Sequence, residues 1–198
     1  MLKNTLNSIS PLDGRYATKL RDLEQYFSEF ALIKNRVLVE INWLIFMSRT
    51  KSLRFIPALS KNKETSLLKI INEFSVKDAE QIKKIEAKTN HDVKAVEIFI
   101  GKKLESLNLK KYSEFVHLFC TSEDINNLSY NLMLKGYLDN EFKEINSLLL
   151  KDLKSKSKKW SKLSMLSFTH GQTASPTTLG KEIANFHERV KYLSLIHI

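Results

Sequence analysis

Four short stretches of the chain gather side chains able to do chemistry. The richest is Thr169-His170-Gly171-Gln172-Thr173-Ala174-Ser175-Pro176-Thr177-Thr178. His170 is the side chain best able to pass a proton near neutral pH. Gly171 lets backbone approach a ligand closely, and the hydroxyls and the Gln172 amide offer many hydrogen bonds. Ser10-Pro11-Leu12-Asp13-Gly14-Arg15-Tyr16 reads as a turn leading into a helix. It also places Arg15, whose guanidinium fork suits an oxyanion, beside Tyr16, a pair fit for a phosphate. In Thr89-Asn90-His91-Asp92-Val93-Lys94-Ala95-Val96-Glu97, three ionisable groups crowd the first turn of a helix, where free N–H groups favour an anion. Asn90 or Asp92 acting as a helix cap accounts for that stretch equally well. Thr121-Ser122-Glu123-Asp124-Ile125-Asn126-Asn127 opens a long helix. Thr121 or Ser122 would cap it, and the same hydroxyls could hold a carboxylate. His117, His187 and His197 lack comparable surroundings and read as structural.

The elements that must position these groups are helical. Five glycines and three prolines leave little for the turns of an all-β protein, and apolar residues recur at helical spacing between few breakers. Helices are expected near 16–30, 32–48, 65–74 and 77–88, with another from Asn90 or Asp92 onward. In the 32–48 helix Val37, Ile41, Leu44 and Ile45 share a face; in the one from Asn90 or Asp92 onward Val93, Val96, Ile100 and Leu104 do. Residues 1–14 read as an extended arm ending in a turn. From Ser122 to about Leu163 there is no proline and only Gly136, so one long helix is expected there. The histidine loop then reverses the chain into a helix beginning at Thr178. Such helices belong in a bundle, and these cannot bury their own apolar stripes. The expected fold is therefore all-α: a small N-terminal helical domain over 1–111, then the first, incomplete part of a long-helix bundle domain over 112–198.

The net charge is +10, but only six of the 32 basic residues are arginine and the lysines are dispersed. Without a zinc pattern, RNP-like motif or helix-turn-helix signal, nucleic acid is not the expected partner. A positive field suits a multi-anionic small molecule equally well. One cysteine, Cys120, excludes an internal disulfide and fits a reducing compartment. No signal peptide is evident and no apolar run is long enough to span a bilayer, so a cytoplasmic protein without membrane partners is expected.

Taken together and in this order, the four stretches resemble the adenylosuccinate lyase family of the fumarase/aspartase superfamily. The resemblance runs from about residue 8 to about residue 192 and rests most specifically on Asn90–Glu97 and Cys120–Asn127. It implies β-elimination of fumarate from adenylosuccinate and from the succinyl-carboxamide imidazole ribotide, with no metal and no organic cofactor. By resemblance His170 is the general acid for the departing nitrogen. Arg15 and Tyr16 meet the nucleotide phosphate, while Asn90, His91 and Asp92 line the pocket. Thr121 and Ser122 bind a succinyl carboxylate, and Gln172 and Thr173 lie beside the acid. The resemblance further implies a purine nucleotide substrate and a homotetramer when the protein is full length. The family's general-base serine loop has no counterpart in these 198 residues, so the chain is expected to be an N-terminal fragment, inactive alone. The competing reading is a non-catalytic helical module that associates with full-length lyase subunits.

Overall fold

A computed structural model describes residues 7–197, without side-chain detail from 195 onward. The first six residues of the expected arm, and the side chain of His197, lie outside the described residues. The chain divides into two compact units, Met1–Lys135 and Gly136–Ile198.

The first unit is built around one helix. After a wound turn and helix α1 (Arg21–Phe27), α2 (Glu29–Arg49) starts where Ser28 Oγ accepts the Ala31 N–H at 3.1 Å. Its apolar face, Val37, Ile41, Leu44 and Met47, is wholly buried against α3 (Lys61–Asn72), α4 (Val76–Thr89) and α5 (Asp92–Ser106). Leu67, Ile82, Phe99, Ile100 and Leu104 supply the opposite side of that core. A 3-10 segment, Lys110–Phe115, lays Tyr112 onto it, with the phenol O–H donating to Ala58 O at 3.1 Å. Ser75 and Asp78 form a capping box that opens α4. The expected helix over 16–30 is instead a 3-10 turn, then α1, then a break at Ser28, because Ser28 turns extended to cap α2.

Helical backbone runs from Ser122 to Lys159 as α6 (Ser122–Tyr137), one π turn (Leu138–Phe142) and α7 (Lys143–Lys159). The expected long helix is thus present, with a π turn that periodicity does not reveal. The second unit then departs from a purely helical expectation. The histidine loop is a β-hairpin, β1 (Ser164–Thr169) against β2 (Gln172–Thr178), before α8 (Leu179–His197). Threonines at 169, 173, 177 and 178 suit strands. Pro176, which cannot donate to a ladder, falls where the register shifts between Met165 and Ser167. Backbone bonds from Gly180 N–H to Trp160 O (3.0 Å) and from Leu179 N–H to Leu163 O (2.9 Å) tie α8 to the end of α7. A Cβ on Gly180 would lie 2.3 Å from Ser157 O, so only glycine permits this approach.

Candidate active site

In the first unit two of the chemical stretches are brought together by a residue from neither. Asn90 ends α4 in the left-handed region (φ +52°), and His91 then caps α5: its Nδ1 accepts the Lys94 N–H at 3.1 Å. The expected cap, Asn90 or Asp92, is therefore corrected to His91. An Nδ1 that accepts carries no proton, so the proton of the neutral ring sits on Nε2, a donor on a half-exposed ring. Asp92 accepts the Val93 N–H at Oδ1 (2.8 Å) and Arg36 Nη2 at Oδ2 (2.6 Å). Burial pushes the Asp92 carboxyl up, but the Val93 N–H and the Arg36 charge outweigh it and hold the group below its ordinary value. Arg36, on α2 and 5% exposed, also donates Nε to Asn126 Oδ1 at 2.9 Å. One guanidinium thus links the start of α5 to the first turns of α6.

In the first turn of α6, Asp124 accepts both the N–H (2.7 Å) and the hydroxyl (3.1 Å) of Thr121. Those bonds to Thr121 hold its carboxyl below the ordinary range. Thr121 is thus the residue preceding the helix, tied by half a capping box, and Ser122 occupies the first helical position. Upstream, His117 and Phe119 both have positive φ (+65° and +64°). His117 donates its N–H to Glu40 Oε2 (3.1 Å), and its Nδ1 lies 2.6 Å from Glu40 Oε1. Glu40, on α2, is fully buried, and desolvation pushes its carboxyl up while the His117 bonds pull it back. Cys120 is half-buried; burial, then the charges of Glu40 and Asp124, raise its thiol away from reactivity.

Arg15 and Tyr16 stand on an exposed turn. Asp13 Oδ1 accepts the Ser10 N–H at 3.0 Å, and the Tyr16 N–H reaches Pro11 O at 3.0 Å. The Arg15 guanidinium lies 4.7 Å from the centre of the Tyr16 ring, with Lys19 Nζ 5.9 Å from it. This arrangement offers two cations on one aromatic platform, suited to an anion.

In the second unit, His170 and Gly171 are the two residues of the hairpin turn, between the paired Thr169 and Gln172. Both have positive φ, +51° and +75°, as a two-residue turn of matching twist requires. Nothing lies within 4 Å of the Cβ that Gly171 lacks, so its glycine answers to the turn and not to crowding. His170 is exposed at the tip, and Gln172 and Thr173 follow it, also exposed. His170 is thus presented at a turn tip in a conformation that only a few side-chain-bearing residues accept.

Arg36 and Glu40 fall in none of the four stretches, and Asn126 lies in one without an assigned role, yet the three organise the first unit's polar cluster. The signal was available: Arg36 and Glu40, four apart, each directly precede a core position of α2, Val37 and Ile41. Among the described residues no group of three or more His, Cys, Asp or Glu is placed to hold a metal ion, and no helix is long and apolar enough to cross a membrane.

The sequence and the fold belong to a known class. A family model described as Lyase matches residues 14–194, and the chain belongs to that lyase family. It is 43% identical over 192 residues to adenylosuccinate lyase of Legionella pneumophila (strain Corby), 44% to that of Haemophilus influenzae and, over 189 residues, 42% to that of Escherichia coli K12. These matches cover 95–96% of the chain but only 41–42% of each relative, so the chain spans under half the length of the lyases it matches. Among solved structures, a fumarate lyase from Mesorhizobium sp. BNC1 (TM-score 0.64, 16% identity, 90% of this chain and 38% of that one) shares the fold. So does a β-carboxy-cis,cis-muconate cycloisomerase from Acinetobacter calcoaceticus sp. ADP1 (TM-score 0.64, 18% identity, 91% and 41%).

Proposed function

We propose that the chain supplies the N-terminal portion of an adenylosuccinate lyase. That enzyme eliminates fumarate from adenylosuccinate, giving AMP, and from the succinyl-carboxamide imidazole ribotide. The observation that carries this reading is identity above 40% to adenylosuccinate lyases along nearly the whole chain. In this reading His170 protonates the departing nitrogen, and a turn-tip imidazole is well placed for that task. Arg15 and Tyr16 take the phosphate. Asn90, His91 and Asp92 line the pocket, with the His91 Nε2–H as a donor, and Thr121 and Ser122 hold a succinyl carboxylate. Gln172 and Thr173 flank the acid. The base that removes the proton beside the carboxylate comes from the part of the lyase that this match does not cover. No metal or organic cofactor is required. The complete protein is a cytoplasmic homotetramer with no nucleic-acid partner, residues 1–111 forming its N-terminal domain and 112–198 opening its bundle domain.

The test is a chimera in which this chain replaces the matching residues of the Haemophilus influenzae relative. Fumarate release from adenylosuccinate is expected from the chimera and not from the 198-residue chain alone. His170→Asn in the chimera should lower kcat by about 10²–10⁴-fold, the usual contribution of a general acid. An assembled tetrameric chimera with no activity would overturn the reading.

A further inference from the structure

Two charged side chains sit on a face of α2 that is otherwise apolar. Arg36 is 5% exposed and Glu40 0%, beside the buried Val37 and Ile41. Being four residues apart, they lie on the same side of the helix. Each reaches a different segment: Arg36 reaches Asp92 and Asn126, and Glu40 reaches the backbone and ring of His117. Burying ions is an inefficient way to hold a helix in place. Apolar residues of similar volume commonly do so as well or better. Stability alone therefore does not explain this pair, and the explanation lies in what the two side chains hold.

The guanidinium is a planar fork with its donors at fixed spacing. Arg36 therefore fixes Asp92, at the start of α5, at a set distance from Asn126, in the first turns of α6. Glu40 grips the backbone N–H and the Nδ1 of His117, a residue at φ +65°, where a side chain is disfavoured. Without that grip the backbone relaxes, and Thr121 and Ser122 follow four and five residues on. We infer that Arg36 and Glu40 are positioning residues. Together they make α2 a rack that sets the separation and orientation of the His91-Asp92 and Thr121-Ser122 segments. As regards substrate, the inference rests on the lyase reading above, since those segments are its proposed pocket. Supporting a site from a helix seated in the core gives it a precision that loops lack.

Two measurements decide it. The first is amide exchange on the 198-residue chain. Arg36→Lys keeps the charge but not the fork, and should speed exchange at residues 91–94 and 121–124 together while α3 stays unchanged. Acceleration in one segment, in neither, or throughout the first unit overturns the rack. The second is kinetics of the chimera. Arg36→Lys and Glu40→Leu should raise KM for adenylosuccinate at least about tenfold, the equivalent of one charge-assisted hydrogen bond, with kcat little changed. Glu40→Gln, which keeps an acceptor for the His117 N–H, should restore most of the loss. A merely structural role would lower the amount of folded enzyme and leave KM alone, and that result overturns the inference. A tetrameric but inactive wild-type chimera rejects the lyase reading, and the exchange result then judges the rack by itself.

Discussion

The two units use the same kind of helix to opposite ends. In the first, the apolar positions of α2 and α5 close on one another, and Val37, Ile41, Leu44, Val96 and Ile100 are fully buried. In the second, no apolar side chain among the described residues from 136 to 194 is buried. Ile145, Leu148, Phe186 and Tyr192 remain 59–66% exposed although they follow the same helical spacing. What is buried there is polar or minimal: Asn146, Thr177, whose hydroxyl donates to Glu182 Oε1 at 2.7 Å, and Gly180. An amphipathic pattern establishes that a helix has a face to cover, not what covers it. The first unit covers the faces of α2 and α5 internally, while its α6 leaves Leu128 and Leu134 55% and 49% exposed. In the second, α7 and α8 meet through backbone hydrogen bonds and one close approach at Gly180, and the apolar stripe stays exposed.

The sharpest way to break this comparison is to make one chemical change in both units. Leu44→Ala removes a side chain with no exposure and should cost about 2–5 kcal/mol, read from the urea midpoint of the 198-residue chain. Leu148→Ala, at 61% exposure, should change stability by no more than about 0.5 kcal/mol. It should also reduce self-association, because it shortens an exposed apolar stripe. Comparable losses from the two would mean that the second unit has a core of its own.

Gly180→Ala tests the other half of the contrast. Its Cβ would meet Ser157 O at 2.3 Å and Ser161 Cα at 2.5 Å, both backbone atoms that cannot rotate aside. Overpacking of this kind costs about 1–3 kcal/mol. The loss should appear as faster amide exchange in β1, β2 and the start of α8, with α2 and α5 unaffected. Uniform acceleration across both units would refute their independence.

How much of this was legible in the sequence follows from the same contrast. The helices of the first unit could be read because their apolar residues recur on faces that are in fact buried, as with Val93, Val96, Ile100 and Leu104 of α5. The hairpin was hidden because Thr177 alone among its residues is buried, so its strands show no alternation, and its turn is His-Gly instead of the commoner Asn-Gly. The polar residue types of the site were legible one stretch at a time, whereas the connection between stretches was not. Arg36 and Glu40 lie 56 and 77 residues from the groups they hold, Asp92 and His117, and local spacing carries no information about such pairs. His91 was readable as a chemical residue but not as a cap, because a ring nitrogen rarely serves as one.

The turn at His170 gives a finer test, at about 1 kcal/mol. Its φ of +51° is costly for a residue with a Cβ, least so for Asn and worst for β-branched types. Hairpin protection in exchange should therefore rank His170→Gly and His170→Asn at or above the wild type and His170→Val below it. In the chimera all three should lose activity. A variant more ordered yet less active would locate the strain at the point where the proposed chemistry needs the imidazole. Equal protection across the series would show that the turn geometry is not what constrains position 170.

The smallest expected effect concerns pH, and it should arise from the first unit. Burial pushes Asp78 up, but bonds from Lys103 and Ser75 outweigh it and hold the carboxyl below its ordinary 3.8; Asp92 is held down likewise by Val93 and Arg36. For both, the unfolded chain binds more protons just below that ordinary value, so stability rises with pH there. Their contribution is complete above 3.8 and disappears as pH falls through the lower native values. Glu40 acts in the opposite sense. Desolvation raises it above 4.5, the native state holds the extra proton, and its contribution is present below 4.5 and lost as pH rises through the raised value. Urea midpoints across roughly pH 3 to 7 should therefore climb and then partly decline. Asp78→Asn should flatten the climb by less than about 1 kcal/mol, since Asp78 stays partly solvated. Glu40→Gln should remove the decline and leave the climb intact. A wild-type profile that Asp78→Asn and Glu40→Gln both leave unchanged would place the pH dependence outside this core and end the contrast between a first unit with buried ions and a second whose described ion pairs are exposed.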